Sequence, residues 1–473
     1  MLDVYPDAPC VGSEKPEALV LQPHRKTVTA DGGHRTLAPE AAFDRFKHLI
    51  DPYTGVLRSL RRLPAPSGGL LHTYQVRHSL VAVFDTLDKL RANEQAGSAG
   101  KGMTDAQARM SAVGEGLERY SAIWQGYEYV VWASYNELKK QAIHPKVLLG
   151  FSARQYATRT AWNAACSSPM LFVPEPFDED EVIAWAPVWS LTHGRYRYIP
   201  ACYGFFGYPD DGTLFCRADS NGNAGGATLE EAVVQGFYEL VERDAVASWF
   251  YNRLRRPGVD LASFGKPYFA HLVQYYAEVL HRDLHVLDVT SDLGIPCFVA
   301  ASHRTDRKPE DIIKGYGCHP DPVIAIGRAL TELNQVLYNV LEETGEGATR
   351  YYTRDPLGLE WLQTVTMAEH PYLAPDPEQP LRTVDDYLFQ ATDDVLHDVL
   401  TGVQRAQAEH IEVYVLNLTR AEIGMPVVKV IAPGLVHFWR RLGFRRLYDT
   451  PVKMGWREVA RREEEVNPWS IVD

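Results

Sequence analysis

No hydrophobic run in this chain approaches the ~18 apolar residues that a membrane-spanning helix needs, so bilayer insertion is not expected. The N-terminus, Met1-Leu-Asp-Val-Tyr-Pro-Asp7, is acidic and lacks the apolar stretch of an export signal. Basic charge is short as well: 48 Lys and Arg stand against 61 Asp and Glu, for a net charge of −13. A protein that grips nucleic acid by neutralising phosphates needs a basic surplus or stripe, so nucleic acid is not an expected partner. Cysteine is sparse, with six among 473 residues at 10, 166, 202, 216, 297 and 318, and no C-x-x-C pair. That removes the usual zinc signature, and the six read as small buried hydrophobes kept reduced in the cytoplasm. H-E-x-x-H and G-x-S-x-G are missing, and Gly97–Thr104 does not have the spacing of a Walker A loop.

What is present is a globular composition, 45% hydrophobic and 23% charged. At about 150 residues per domain the length suggests three domains. No low-complexity stretch or long linker divides the chain, however. It reads instead as an irregular leading segment, 1–60, with one helix near Pro39–Leu49, followed by one undivided unit, 61–473. Tyr74–Phe84 is β-rich and reads as a strand. Gly97–Thr104 reads as a flexible loop, and Thr104 with Gln107 has capping-box spacing for a helix running to about Gln125. Trp185–Tyr198 reads as strand, turn and strand. A second Gly-rich loop, Asp219–Ala227, precedes another capping box, Thr228 with Glu231, and a helix to about Leu254. Val286–Val299 and Val415–Val430 share a second device: strand, acidic turn, Gly-x-Pro, strand. Asp321 and Pro322 start a further helix that should reach about Glu342. The expected fold class is α+β, with an internal duplication and long helices packed on antiparallel or mixed sheets.

Two of these helices carry E-x-x-E-R: Glu115, Glu118 and Arg119 in one, Glu239, Glu242 and Arg243 in the other. Residues three apart share a helix face, so each helix presents two carboxylates together. Alone, such a motif is ordinarily a solvated charged face. Here the flanks are apolar and aromatic with little Lys, and buried carboxylates must be paired or bind cations. Oxygen-only ligands favour Mg²⁺, which typically bridges to substrate phosphates. Gly-rich turns at helix N-termini can hold anions, although alone they are more often plain turns. Ser220-Asn-Gly-Asn223 adds hydroxyl and amide groups, and Lys101 adds a charge. Arg328, Glu332 and Gln335 share a face on the third helix, with the spacing of Ser111, Glu115 and Glu118, and of Gln235, Glu239 and Glu242. For the third helix, a surface salt bridge beside an amide is the plainer alternative.

These motifs together, with Gly100-Lys-Gly102, S-A-x-G-E-x-x-E-R at 111–119 and Val430-Ile-Ala-Pro-Gly434, closely resemble the YcaO family, and within it the azoline-forming cyclodehydratases of ribosomal peptides. The resemblance covers about residues 35 to 468. It implies a YcaO-like fold with ATP held between helices by acidic clusters and Mg²⁺. By position, Ser111, Glu115 and Glu118 match the first acidic motif. Ser220, Asn223, Glu231, Glu239, Glu242 and Arg243 match the second. Arg328, Glu332 and Gln335 match the third, Lys101 the Gly-Lys-Gly lysine, and Arg35 an N-terminal phosphate contact. Glu115, Glu118, Glu239 and Glu242 are the implied metal ligands; no residue is assigned as catalytic base.

The implied reaction is attack of a Cys, Ser or Thr side chain of a precursor peptide on the preceding amide carbonyl, phosphorylation of the resulting oxygen by ATP, and loss of phosphate. Other YcaO backbone activations, forming thioamides or amidines, and a non-catalytic nucleotide-binding accessory are the competing readings. Implied partners are the precursor peptide, a separate leader-binding protein resembling ubiquitin-activating enzymes, a flavin dehydrogenase of the same pathway, and a second copy in a homodimer. The Pro-rich tail of many cyclodehydratases is reduced here to Asn467-Pro468.

Overall fold

The computed structural model describes residues 10–11, 16–64, 69–78, 97–166, 168–209, 215–343, 348–353 and 355–471. Its architecture is α+β. In chain order the elements that position the site are α1 (Pro39–Phe46), β1 (Leu57–Arg62), β2 (His72–His78), β3 (Gly97–Gly102) and α2 (Asp105–Ser121). Next come β4 (Val130–Ala133), β5 (Ile183–Ser190), β6 (Arg195–Pro200), β7 (Asn223–Gly225) and α3 (Leu229–Asn252). The chain continues with β8 (Arg282–Asp288), β9 (Cys297–Arg304), β10 (Ile313–Cys318), α4 (Pro322–Leu337), α5 (Val395–Ala408), β11 (Tyr414–Asn417) and β12 (Val427–Ile431).

One device recurs: a three-stranded antiparallel arrangement whose last strand turns into a capped helix. It is built as β1-β2-β3 leading into α2, and as β8-β9-β10 leading into α4. The third version draws its strands from distant parts of the chain. β7 leads into α3 but pairs with β12, and β12 pairs with β11, inside a seven-stranded antiparallel sheet. The N-caps are those expected, Thr104 Oγ1 accepting from Gln107 N at 3.3 Å and Asp321 Oδ1 from Val323 N at 2.9 Å, but of the capping box expected for Thr104 with Gln107 only the Thr104 half is made. The paired Gly-x-Pro segments are the antiparallel hairpins β8–β9 and β11–β12, turned by Gly294 and Gly424 at φ 65° and 70°.

Two expectations change. Gly97–Gly102 is not a flexible loop but strand β3, paired throughout with β2. Its glycines answer to the helix behind it: a Cβ on Gly100 would stand 1.9 Å from the amide nitrogen of Ala112. In the same way, a Cβ on Gly317 of β10 would stand 2.0 Å from the Ala325 carbonyl of α4. The helices also stop earlier than periodicity suggested, at Ser121, Asn252 and Leu337. The strand expected over Tyr74–Phe84 is present as far as it is described, over His72–His78, and residues 79–84 lie outside the described residues. Helix α1 and a short helical turn, Lys47–Leu49, fall where the leading segment's helix was expected.

α3 is buried on almost every side, with Trp249, Phe250 and Tyr251 fully enclosed. Its core joins α4, α5 and the β8–β10 sheet, while α2 packs in a second core with the seven-stranded sheet. Each such side chain contributes roughly 1.5–3 kcal/mol by leaving water. Cys216, Cys297 and Cys318 are buried, Cys166 and Cys202 half-buried, and all five are free thiols. Among the described residues no helix is long and apolar enough to cross a membrane.

Gly317→Ala should cost about 2–3 kcal/mol in urea denaturation, because α4 must move off the sheet. Gly114→Ala, whose Cβ would meet only the Met110 methyl at 3.8 Å, should instead stabilise α2 by about 0.5–1 kcal/mol. Equal effects would show that close strand–helix contact is not what selects glycine.

Candidate functional site

The faces of α2, α3 and α4 turned away from their sheets meet around a cavity of about 700 Å³. All fourteen residues singled out above lie on its wall. Lys101 comes from β3; Ser111, Glu115 and Glu118 from α2; Ser220 and Asn223 from the turn entering β7. Glu231, Glu239, Glu242 and Arg243 come from α3; Arg328, Glu332 and Gln335 from α4. Arg35 arrives from a short strand, Gly33–Arg35, ahead of α1. One side of the wall is apolar, with Leu37, Pro39, Ala42, Phe46, Met110 and Met425.

The two E-x-x-E-R motifs form mirrored pairs. Arg119 lies 3.2 Å from Glu115 and 3.4 Å from Glu118; Arg243 lies 3.5 Å from Glu239 and 3.4 Å from Glu242. The arginines do not fully offset the acids. Burial, with added repulsion from Glu239 and Glu115, pushes Glu118 well above the ordinary carboxylate range. Burial likewise raises Glu239, and burial with the like charge of Glu332 raises Glu242. Seven acids line the wall (Asp31, Glu115, Glu118, Glu231, Glu239, Glu242, Glu332) against five bases (Arg35, Lys101, Arg119, Arg243, Arg328). Desolvated oxygen donors in excess suit a hard divalent cation. Among the described residues, though, no three His, Cys, Asp or Glu side chains already converge as a metal cluster. The expected ring of Glu115, Glu118, Glu239 and Glu242 is not preassembled, because each pair is held on its own arginine.

Positive charge gathers elsewhere on the wall. Arg35 and Arg328 both donate to the Gln235 side-chain oxygen, at 3.1 and 2.8 Å, and both donate to the Gly32 carbonyl, at 3.0 and 2.9 Å. Arg328 does not pair with Glu332, so the surface salt bridge considered for α4 is absent; Glu332 pairs with Lys101. Lys101 N donates to Ser111 Oγ at 3.4 Å, and Gln335 Nε2 to the Ala99 carbonyl at 3.3 Å.

Glu231 completes only half of the expected capping box. Thr228 Oγ1 accepts from Glu231 N at 3.2 Å. The Glu231 carboxylate, instead of reaching back to Thr228 N, accepts from Ala227 N at 2.9 Å and from Thr36 N and Oγ1 at 2.6 and 2.8 Å. It therefore fastens the segment carrying Arg35 to the start of α3.

Sequence reading gave no role to Lys429. Its ammonium, 1% exposed, donates to the Asp219 and Asn221 carbonyls at 2.6 and 3.1 Å, with Asp219 Oδ1 and Asn223 Oδ1 at 3.4 Å. The turn that carries Ser220 is wrapped around this one cation. Burial works against the Asp219 charge, yet Lys429, His437 and Arg441 outweigh it and hold the carboxyl below its usual range. The available signal was a lone Lys inside the β-branched run Val427–Ile431. Arg119 and Gln235 were visible by spacing alone. The tail does not line the cavity as far as it is described: Asn467 is buried at the far end of α3, bonded to Tyr251, Phe250 and Tyr372.

The profile of the YcaO cyclodehydratase family, described as ATP- and Mg²⁺-binding, matches residues 99–436. Among solved structures, the chain is similar to a heterocyclase in complex with substrate and cofactor (TM-score 0.89, 45% identity, 96% of this chain and 59% of that one). It is also similar to the heterocyclase TruD (TM-score 0.76, 39% identity, 97% of this chain and 56% of that one). The fold further matches a YcaO protein of Methanopyrus kandleri bound with AMPPCP and Mg²⁺ (TM-score 0.58, 20% identity, 87% of this chain and 94% of that one). The chain thus spans less than two thirds of the two heterocyclase chains.

The raised carboxylates yield a stability test. Glu118 has its native pKa above the ordinary 4.5, so its charge costs the fold nothing below that value and an increasing amount as pH rises through the native pKa. Glu118→Gln should therefore raise the melting temperature by roughly 1–3 °C at pH 8 and leave it unchanged near pH 4. A variant no more stable at pH 8 would mean that Arg119 fully compensates the charge.

Proposed function

Because the chain belongs to the YcaO cyclodehydratase family, we propose that it is an ATP-dependent peptide heterocyclase that converts Cys, Ser or Thr of a ribosomal precursor peptide to thiazoline or oxazoline. The observation that carries this reading is the convergence of three helices, each with its own i, i+4, i+7 polar face, on one cavity holding both desolvated carboxylates and uncompensated guanidiniums. Carboxylates alone would suit a metal; guanidiniums alone would suit an anion. Both together suit a metal-bound polyphosphate.

In this reading the apolar side of the wall, Pro39, Ala42, Phe46, Met110 and Met425, takes the flat base. Glu115, Glu118, Glu239 and Glu242 would hold Mg²⁺, which would supply charge neutralisation for the phosphates. Ser111, Ser220, Asn223 and Gln335 supply hydroxyls and amides, and Lys101, Arg35, Arg243 and Arg328 offset charge developing during transfer. Glu231 acts through Thr36 rather than on the nucleotide. An unmodified amide oxygen is a poor leaving group. The attacking side chain adds to the amide carbon, the oxygen so formed takes the terminal phosphoryl group of ATP, and inorganic phosphate leaves with that oxygen as the ring double bond forms. The balance is peptide plus ATP giving azoline, ADP and phosphate.

Residues 61–473 would form the catalytic unit, and residues 1–60 a leading segment that closes the cavity through Arg35. A separate leader-binding partner, a pathway flavin dehydrogenase, a homodimeric state and a cytoplasmic setting complete the reading.

The deciding experiment incubates the protein with ATP, Mg²⁺, precursor and partner and weighs the peptide. Loss of ~18 Da per modified residue supports the azoline reading; a gain of ~16 Da would assign thioamide formation instead; unchanged mass without ADP release would refute both, since phosphoryl transfer is common to them. Glu239→Gln and Glu242→Gln should each abolish ADP release while the melting temperature is kept or raised. Normal turnover in these variants would make the carboxylates structural.

A further inference from the structure

Away from the cavity between the helices, cations collect in a second, more open depression of about 450 Å³. It lies where strand β6 meets a short helical turn, Lys139–Gln141. Its lining is Tyr135, Lys139, Lys140, Ala142, Arg195 and Arg197. Four of these six side chains are cationic and none is acidic, on a chain whose net charge is −13. None of the six lines the cavity between the helices.

The depression is held in shape by its own backbone. Arg197 donates from Nε to the Gln141 carbonyl at 3.2 Å and from Nη2 to the Ala142 carbonyl at 3.0 Å. It thereby fixes the turn against β6 while its charge stays uncancelled. Ile143 N donates to the Tyr198 carbonyl at 2.8 Å and closes the same seam. Lys139 is kept at φ 45°, a positive angle that a lysine retains only where its surroundings enforce it. Lys139, Lys140 and Arg195 are exposed, and none of the three has an ion pair or a side-chain hydrogen bond among the described residues.

Acids stand nearby but face other partners. Glu137 accepts from Ser134 N at 2.7 Å, Asp180 accepts from Asn136 Nδ2 at 2.8 Å, and Glu179 lies 3.2 Å from His144. Glu412, within electrostatic reach of Arg197, is taken up by His193 and by the Tyr414 hydroxyl.

Arg195 and Arg197 are two apart on one strand, so they share a face at a spacing of about 7 Å. An extended peptide repeats its side chains at that same interval. We propose that this depression is a docking surface for an extended acidic stretch of a separate polypeptide, whose carboxylates on alternate residues meet Arg195 and Arg197 while Lys139 and Lys140 add charge from the turn. Nucleic acid fits less well: it would bring a charge on every nucleotide to a chain that is already acidic, whereas a peptide brings a few acids where the cations stand. Such docking does not depend on what fills the cavity between the helices.

The probe is a fluorescein-labelled decapeptide of alternating Glu and Ser, titrated into the full chain and followed by anisotropy, with alternating Gln and Ser as the control. The Glu peptide should bind and the Gln peptide should not. Raising the salt from about 50 to about 300 mM should weaken binding about 10-fold. Lys140→Ser and Arg195→Ser change exposed side chains, so both should melt with wild type; each should weaken binding about threefold, and the double variant about 10-fold. Excess ATP with Mg²⁺ should leave the peptide bound. Wild-type protein that ignores the Glu peptide, or a double variant within twofold of wild type, would overturn the proposal. Displacement by ATP would also overturn it, by moving the peptide to the cavity between the helices. A deoxythymidine decamer bound as tightly as the Glu peptide would replace it with a general polyanion surface. Self-association of the chain that Arg195→Ser abolishes in ultracentrifugation would replace it with a second copy. Should one single variant show no cooperative melt, the other decides, with unchanged affinity as the refuting result.

Discussion

Three helices can surround a polar cavity only if something else pays for burying them. Here α2 and α4 are each seated from behind on a strand so closely that backbone meets backbone. At Gly100 and Gly317 no side chain of any size fits between strand and helix. With that contact made, the opposite faces of α2, α3 and α4 are relieved of packing duty and can be polar. The triplets Ser111/Glu115/Glu118, Gln235/Glu239/Glu242 and Arg328/Glu332/Gln335 occupy those faces at one common spacing. The site is in this sense a by-product of the strand–helix fit.

The arrangement is electrostatically costly. Seven acids and five bases line one cavity, and three of the acids have raised pKa values. Such a wall destabilises the empty protein in its charged form. The fold tolerates this because the two apolar cores on either side are large, and α3 contributes to its core along nearly its whole length. Binding of a cation and a polyanion would relieve both kinds of repulsion at once, so ligand binding and folding stability are coupled by mass action.

Much of the site was legible because its signals are local. Thr104, Thr228 and Asp321 mark helix starts by cap chemistry that acts within three residues. The E-x-x-E-R pairs declare a shared face by spacing alone. What escaped reading depends on partners far away in the chain. Gly97–Gly102 looks like a loop because glycine is a poor strand former; only the backbone of α2 behind it explains the composition. Glu231 resembles half of a capping box, but its carboxylate is claimed by Thr36, 195 residues away. The four metal-ligand candidates share one cavity, as the motifs imply, and the arginine that ends each motif, four residues after its first glutamate, is the local counter-ion of its own pair.

Lys429 and Asp219 lie 210 residues apart in the chain and meet where neither side chain reaches solvent. Removing Asp219 would leave the buried ammonium with uncharged oxygens alone, at a cost of about 3–5 kcal/mol, whereas removing Lys429 would leave the Asp219 carboxylate still facing His437 and Arg441. Drift at position 219 is therefore constrained for as long as Lys429 is kept. Sequences descended from a common ancestor with this chain should show position 219 changing only where position 429 has changed too, a long-range genetic linkage written by a single sequestered ammonium.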